Sequence, residues 1–149
     1  MKKIAIILSV MVACLATSCQ KPFEYTLPIA FDNQEVNLPK TIANKTDFVH
    51  YIHIISNGEW EATLETADGN SWCWLQEYFV DSEGGQVKVV EPVQSFEGME
   101  EMGRWNVVRG KGTLWLPLRF VTTTVARYAT LTVRRTDTGE IKQLRITQK

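Results

Sequence analysis

Apolar and polar residues alternate along much of this chain with a period of two, the mark of strands that bury one face. The clearest case is Glu59 to Thr66, where Trp60, Ala62 and Leu64 point one way and Glu59, Glu61, Thr63 and Glu65 the other. Thr113 to Thr122 places Leu114, Leu116, Leu118 and Phe120 on one face. Arg127 to Arg135 does the same with Ala129, Leu131 and Val133, and Glu140 to Gln148 with Leu144 and Ile146. Lys45 to Ser56 is rich in β-branched and aromatic residues, which suit a pleated, half-buried surface. Weaker strands are expected at Ala30 to Leu38, ended by Pro39, at Ser71 to Val80, and at Gln86 to Glu91 after Gly84-Gly85. Ala67-Asp68-Gly69-Asn70 and Asp137-Thr138-Gly139 carry turn chemistry. Glu91 to Gly112, with Pro92 and four glycines, is expected to be irregular, with a helical turn near Met99 to Met102.

Asn57-Gly58 lies between two of these strands and is a strong hairpin signal. A two-residue loop would set Ile55 opposite Trp60, His53 opposite Ala62 and Tyr51 opposite Leu64, and opposed side chains share a face. That pairing buries His53 and leaves Ile52 and Ile54 outside, forgoing about 1.5–3 kcal/mol for each isoleucine. A corner at Ser56-Asn57-Gly58, where the chain crosses from one sheet to the other, points Ile52 and Ile54 inward from one layer and Trp60, Ala62 and Leu64 inward from the other. The corner is the favoured reading, and it places Trp60 where an immunoglobulin-like sandwich has its core tryptophan. Seven or eight short strands with almost no helical periodicity predict an all-β, immunoglobulin-like, Greek-key β-sandwich with a long irregular insertion over about residues 77–110. A small closed barrel is the structural alternative.

The first 28 residues follow a different logic. Lys2 and Lys3 precede an apolar run from Ile4 to Ala16, and small residues follow, which is the form of a secretory leader over residues 1–18. The run is shorter than the roughly 20 apolar residues that span a bilayer. Leu15-Ala16-Thr17-Ser18-Cys19 resembles a bacterial lipobox, whose cysteine is diacylated and becomes the first residue of the mature chain. The usual leucine three places before the cysteine is here Ala16, with Leu15 one place earlier; Cys14 is a second, weaker candidate. Residues 19–28 then form a tether with two prolines, reaching about 30 Å at roughly 3.3 Å per residue. Residues 29–149 form one domain, the number a chain of this length supports.

With 16 basic and 17 acidic residues and no basic run, the chain shows no electrostatic footprint for nucleic acid. Loss of the leader leaves 14 basic against 17 acidic residues, an ordinary solvated balance. Cys73 is then the one ordinary thiol, expected to pack as a small apolar group between Trp72 and Trp74. Nothing in the spacing suggests a metal-ligand cluster or a cofactor motif.

The succession Ile52, Ile54, Ser56-Asn57, Trp60 and Trp74-Leu75 resembles the BACON domain of Bacteroidetes proteins. So do Gly110-Lys111-Gly112, Thr122-Thr123-Thr124, Arg127-Tyr128-Ala129-Thr130-Leu131-Thr132-Val133 and the ending Leu144-Arg145-Ile146-Thr147-Gln148. Ser18 before the lipobox cysteine is similar to lipoproteins of that phylum. The resemblance covers most of residues 29–149, and its motifs are structural rather than catalytic. The long segment from Glu77 to Gly110 departs from the compact family pattern. The resemblance implies an immunoglobulin-like sandwich on a lipoprotein of the cell envelope, lipid-anchored at the outer membrane. In some members the domain is associated with carbohydrate or mucin recognition, in others with spacing a catalytic domain from the membrane.

Candidate ligand-binding residues follow from where rings would be exposed. Trp105, among polar residues and glycines, is the leading candidate for a free ring, and Trp72 and Trp74 share a face that is either core or an aromatic platform. Trp115 faces away from Leu114 and Leu116. Tyr78, Phe79 and Phe96 would extend a patch, and Arg104 and Asn106, with Glu77, Asp81, Glu97, Glu100 and Glu101, would take sugar hydroxyls. Enzyme chemistry is not expected: His50 and His53 fall on opposite faces of a strand, no pair of carboxylates stands out for glycoside cleavage, and no nucleophile elbow is present. Two functions fit: a non-catalytic envelope lipoprotein binding carbohydrate or mucin-type glycan, or a structural accessory subunit docking an envelope protein without binding glycan.

Overall fold

The computed structural model describes residues 27–40 and 47–149. The leader, all but the last two residues of the tether, and Cys14 and Cys19 lie outside them. The described chain is all-β: β1 (Ala30–Phe31), β2 (Glu35–Leu38), β3 (Asp47–Ile55), β4 (Glu59–Thr66), β5 (Cys73–Leu75), β6 (Tyr78–Ser82), β7 (Gly85–Ser95), β8 (Trp105–Lys111), β9 (Leu114–Val121), β10 (Arg127–Arg135) and β11 (Ile141–Gln148). These eleven strands exceed the expected seven or eight, and the additions have clear causes. The first expected strand breaks at Asp32–Gln34, so that β1 pairs antiparallel with β3 while β2 pairs parallel with β11. Residues 77–110 are not irregular: they contain β6, β7 and nearly all of β8. Their longest stretch without a strand is the link from Phe96 to Arg104, a succession of turns closed by Met99 N–H to Phe96 O (2.9 Å) and Met102 N–H to Met99 O (3.2 Å).

The strands form one continuous mixed sheet, ordered β1-β3-β9-β5-β8-β4-β10-β11-β2, with β7 and then β6 added beside β8. The sheet curls over itself into a sandwich-like body. One layer is β1-β3-β9-β5, the other runs from β8 to β2, and the single pair Leu75–Trp105 joins them. Inward residues of both layers meet in one core: Ile52 and Ile54 from β3, Leu116 and Leu118 from β9, Trp60 and Leu64 from β4, Leu131 from β10, and Leu144 and Ile146 from β11.

The Asn57-Gly58 stretch is the sheet-to-sheet corner. β3 pairs with β1 and β9, β4 with β8 and β10, and the two never pair with each other. Ser56 is held there by Thr113, whose Oγ1 accepts from Ser56 N–H (3.1 Å) and donates to Ser56 O (3.0 Å). Trp60 is fully buried and its indole N–H donates to Gly112 O at 3.0 Å. At the opposite end, buried Gln148 donates through Nε2 to Pro39 O (2.9 Å) and to Val121 O (3.0 Å), stitching the end of β11 to both layers. The Ile-Thr-Gln ending is therefore a buried clasp.

The same corner receives the entering chain. Leu27 N–H donates to Asn57 Oδ1 (3.0 Å), and Leu27 O accepts from Arg135 Nη1 (2.5 Å). Arg135 is 2% exposed, donates also to Asn57 Oδ1 (2.8 Å), and forks onto Asp137 with bonds of 2.9 and 2.6 Å.

Candidate functional site

The outer face of the β3–β9 pair carries the clearest run of exposed rings. Register places His53 opposite Trp115, Tyr51 opposite Pro117 and Val49 opposite Arg119. Ile52, Ile54, Leu116 and Leu118 alternate with these and point into the core, so the remaining positions must face out. Exposure along this face is uneven: Trp115 and Tyr51 are each 49% exposed and Val49 is 39% exposed, His53 and Arg119 are half-buried, and Pro117 is buried.

Trp115 is held in place. The His53 ring stacks on it with centroids 4.1 Å apart and planes 11° from parallel. Carboxylate oxygens only accept, so His53 Nδ1–H donates to Asp32 Oδ2, at 2.7 Å. Asp32 comes from the bend between β1 and β2, so this segment fixes the imidazole that fixes the indole. A cleft of about 190 Å³ opens beside the stack, lined by Asp32, Asn33, His50, Tyr51, His53 and Trp115. His50 lies on the other side of β3, and burial lowers its pKa, which keeps the ring neutral at pH 7. The result is a flat indole with one open face, a phenol beside it, and a carboxylate and an amide at the rim.

The remaining tryptophans lie elsewhere. Trp72 and Trp74 do not form an exposed platform: they are 3% and 5% exposed. Each is capped by a guanidinium, Arg127 at 4.9 Å over Trp72 and Arg104 at 4.1 Å over Trp74, so Arg104 is also committed. Trp105 is not a free ring. It opens β8, pairs with Leu75 and Ser95, and packs half-buried against the core, because the segment around it is sheet rather than loop. Tyr78 and Phe96 likewise pack against the core. Asn106 is half-buried, and its Oδ1 and the Trp72 indole N–H are buried without a hydrogen-bond partner. Of the tryptophans expected to bind ligand, Trp115 alone presents an open ring; Phe79 is also exposed, at 44%, but stands apart on the β6–β7 hairpin. Tyr51, His53 and Asp32 join Trp115 on the β3–β9 face, and the signal that could have found Tyr51 and His53 is the corner itself, which turns them outward once Ile52 and Ile54 turn in.

A second cleft, of about 300 Å³, lies over Trp60 and Gly110 between Glu59, Lys88, Glu91 and Arg109. Its charges are largely matched, with Lys88 bonded to Glu77 at 3.0 Å and Arg109 to Glu61 at 3.2 Å. Cys73 is buried, and desolvation pushes its thiol far above the usual range, which leaves it inert. Among the described residues no group of three or more His, Cys, Asp or Glu could hold a metal ion. Scans of the chain against protein-family models and against curated proteins find no match.

Proposed function

We propose that this chain is a non-catalytic, lipid-anchored module of the cell envelope that binds carbohydrate, of polysaccharide or mucin-type glycan class, on the outer face of β3 and β9. The observation that carries the reading is Trp115, a half-exposed indole braced from behind by the His53–Asp32 pair on rigid sheet. A sugar ring clusters C–H groups on one face, and a flat, pre-oriented aromatic surface receives that face without first paying to order itself. Tyr51 widens the platform, while Asp32 and Asn33 stand where hydroxyls would need acceptors and donors. The resemblance to BACON domains and the lipobox at Cys19 support the envelope setting.

The test is tryptophan fluorescence and thermal melting of the full chain against a panel of polysaccharides and mucin glycans. A binder is expected, and Trp115→Ala should weaken it at least about tenfold, the equivalent of ~1.4 kcal/mol, while Trp105→Ala should not act through ligand contact. A panel without a binder, combined with a stable protein partner in envelope pull-downs, would favour the docking subunit instead.

A further inference from the structure

The cleft beside the Trp115 stack has more structure than a ring surface alone requires. Its volume is about 190 Å³. Pockets for drug-sized ligands start at roughly 300 Å³, so this one suits a single substituent or a single sugar unit rather than a length of chain. Its walls divide by chemistry. Val36, Ile52 and Leu144 reach it from β2, β3 and β11, and each is otherwise buried in the core, so together they make an apolar floor. Asp32 and Asn33 stand exposed at the rim, on the bend between β1 and β2, and half-buried His50 adds a polar wall from β3.

Each polar group there has a limited role. Asp32 gives Oδ2 to His53 at 2.7 Å, and among the described residues its Oδ1 receives no donor. A carboxylate oxygen can only accept. Burial lowers the pKa of His50, so at pH 7 its ring is neutral, with one N–H to donate and one bare nitrogen. The Asn33 side chain both donates and accepts. Among the described residues no lysine or arginine lines the cleft.

We propose that this cleft receives the acetamido group of an N-acetylated amino sugar whose ring lies against Trp115, the wall that cleft and platform share. The inference rests on the carbohydrate reading above and narrows it to one substituent. An acetamido group has three parts, and the cleft answers each of them. The methyl group meets the floor of Val36, Ile52 and Leu144. The amide N–H donates to Asp32 Oδ1, and the carbonyl accepts from the His50 ring N–H or the Asn33 amide. A plain hydroxyl at the same carbon would leave the apolar floor unfilled and some of these polar groups unanswered, and unanswered polar groups are what lets a site discriminate. A free ammonium would meet Asp32 but would have to shed water against the floor and a neutral imidazole. A carboxylate or sulfate would face Asp32 with no cation between them.

Matched methyl glycosides test this on the full chain, titrated by tryptophan fluorescence. The compounds are glucosides and galactosides carrying a hydroxyl, an amino or an acetamido group at carbon 2, with methyl glucuronide as the acidic member. In at least one series the acetamido compound is expected to bind about tenfold or more tighter than its hydroxyl partner, and the amino compound should not match it. Asn33→Trp, on an exposed bend, narrows the mouth of the cleft, and His50→Phe keeps a ring but removes its N–H; each should bring that ratio toward one, with the fold checked by circular dichroism. Equal binding of hydroxyl and acetamido compounds, tighter binding of the amino compound or the glucuronide, a ratio that survives Asn33→Trp, or a polysaccharide that binds while every acetamido compound fails would overturn the inference and leave a glycan-binding face standing. No binding by any of these compounds or by any polysaccharide or mucin glycan would overturn the carbohydrate reading and the inference with it.

Discussion

Gly110 has no unusual backbone angle to require it; space does. A Cβ there would fall inside van der Waals contact with the Trp60 ring, which is fully buried against the β8 backbone. Gly110→Ala must therefore push the indole or bend β8. It is expected to cost about 1–3 kcal/mol, read as a lower urea midpoint with unchanged slope. In the sequence that glycine looked like a loop residue, because the ring that excludes a side chain belongs to a strand fifty positions earlier. Trp115 shows the same boundary of legibility. Its outward direction follows from the leucines on either side, but its partner does not. The stack with His53 depends on the register between β3 and β9, set by contacts some sixty residues apart in the chain, which no local pattern encodes.

Elements differ in how openly they announce themselves. β4, β9, β10 and β11 each bury one face, so their alternation is plain. β8 was hidden because it lies between β4 and β7 near the junction of the layers, and its adjacent Val107 and Val108 are both buried. β7 was cut short at Pro92, which is tolerated where its ladder with β8 shifts register. The β10–β11 turn carries a pH signature. Asp137 is held down to about 2, chiefly by hydrogen bonds from the Arg135 side chain, with the Thr138 N–H assisting. A carboxyl lower in the folded than in the unfolded state contributes stability that is fully present above the unfolded value, about 3.9, and is lost as pH falls toward 2. Denaturation midpoints across this window should therefore drop in the wild type. In Asp137→Asn the drop should be shallower and the stability at neutral pH lower.

At the scale of the molecule, the proposed attachment at Cys19 would set where every other surface can act. Cys19→Ser is expected to move the chain from the membrane to the soluble fraction of fractionated envelopes, and retention on the membrane would remove the lipid anchor from the reading. A tether of about ten residues would keep the domain within roughly 30 Å of that attachment. Confinement of that kind would raise the effective concentration of one copy for another, so neighbouring copies would present several Trp115 faces to one polymeric glycan and add avidity without a new contact. The clamp on Leu27 has a mechanical consequence as well. β1 meets β3 through only two residue pairs, and a pull along the incoming chain would unzip them one at a time. Because Arg135, Asn57 and Glu140 grip the backbone from Leu27 to Ile29, that pull is taken up first at the corner, on side chains rooted in β10 and the turns beside it. The arrangement acts as the strain relief on a cable, so drag on a captured polymer would be borne by the corner before it reached β1 and the bend after it that supplies Asp32 to the Trp115 stack.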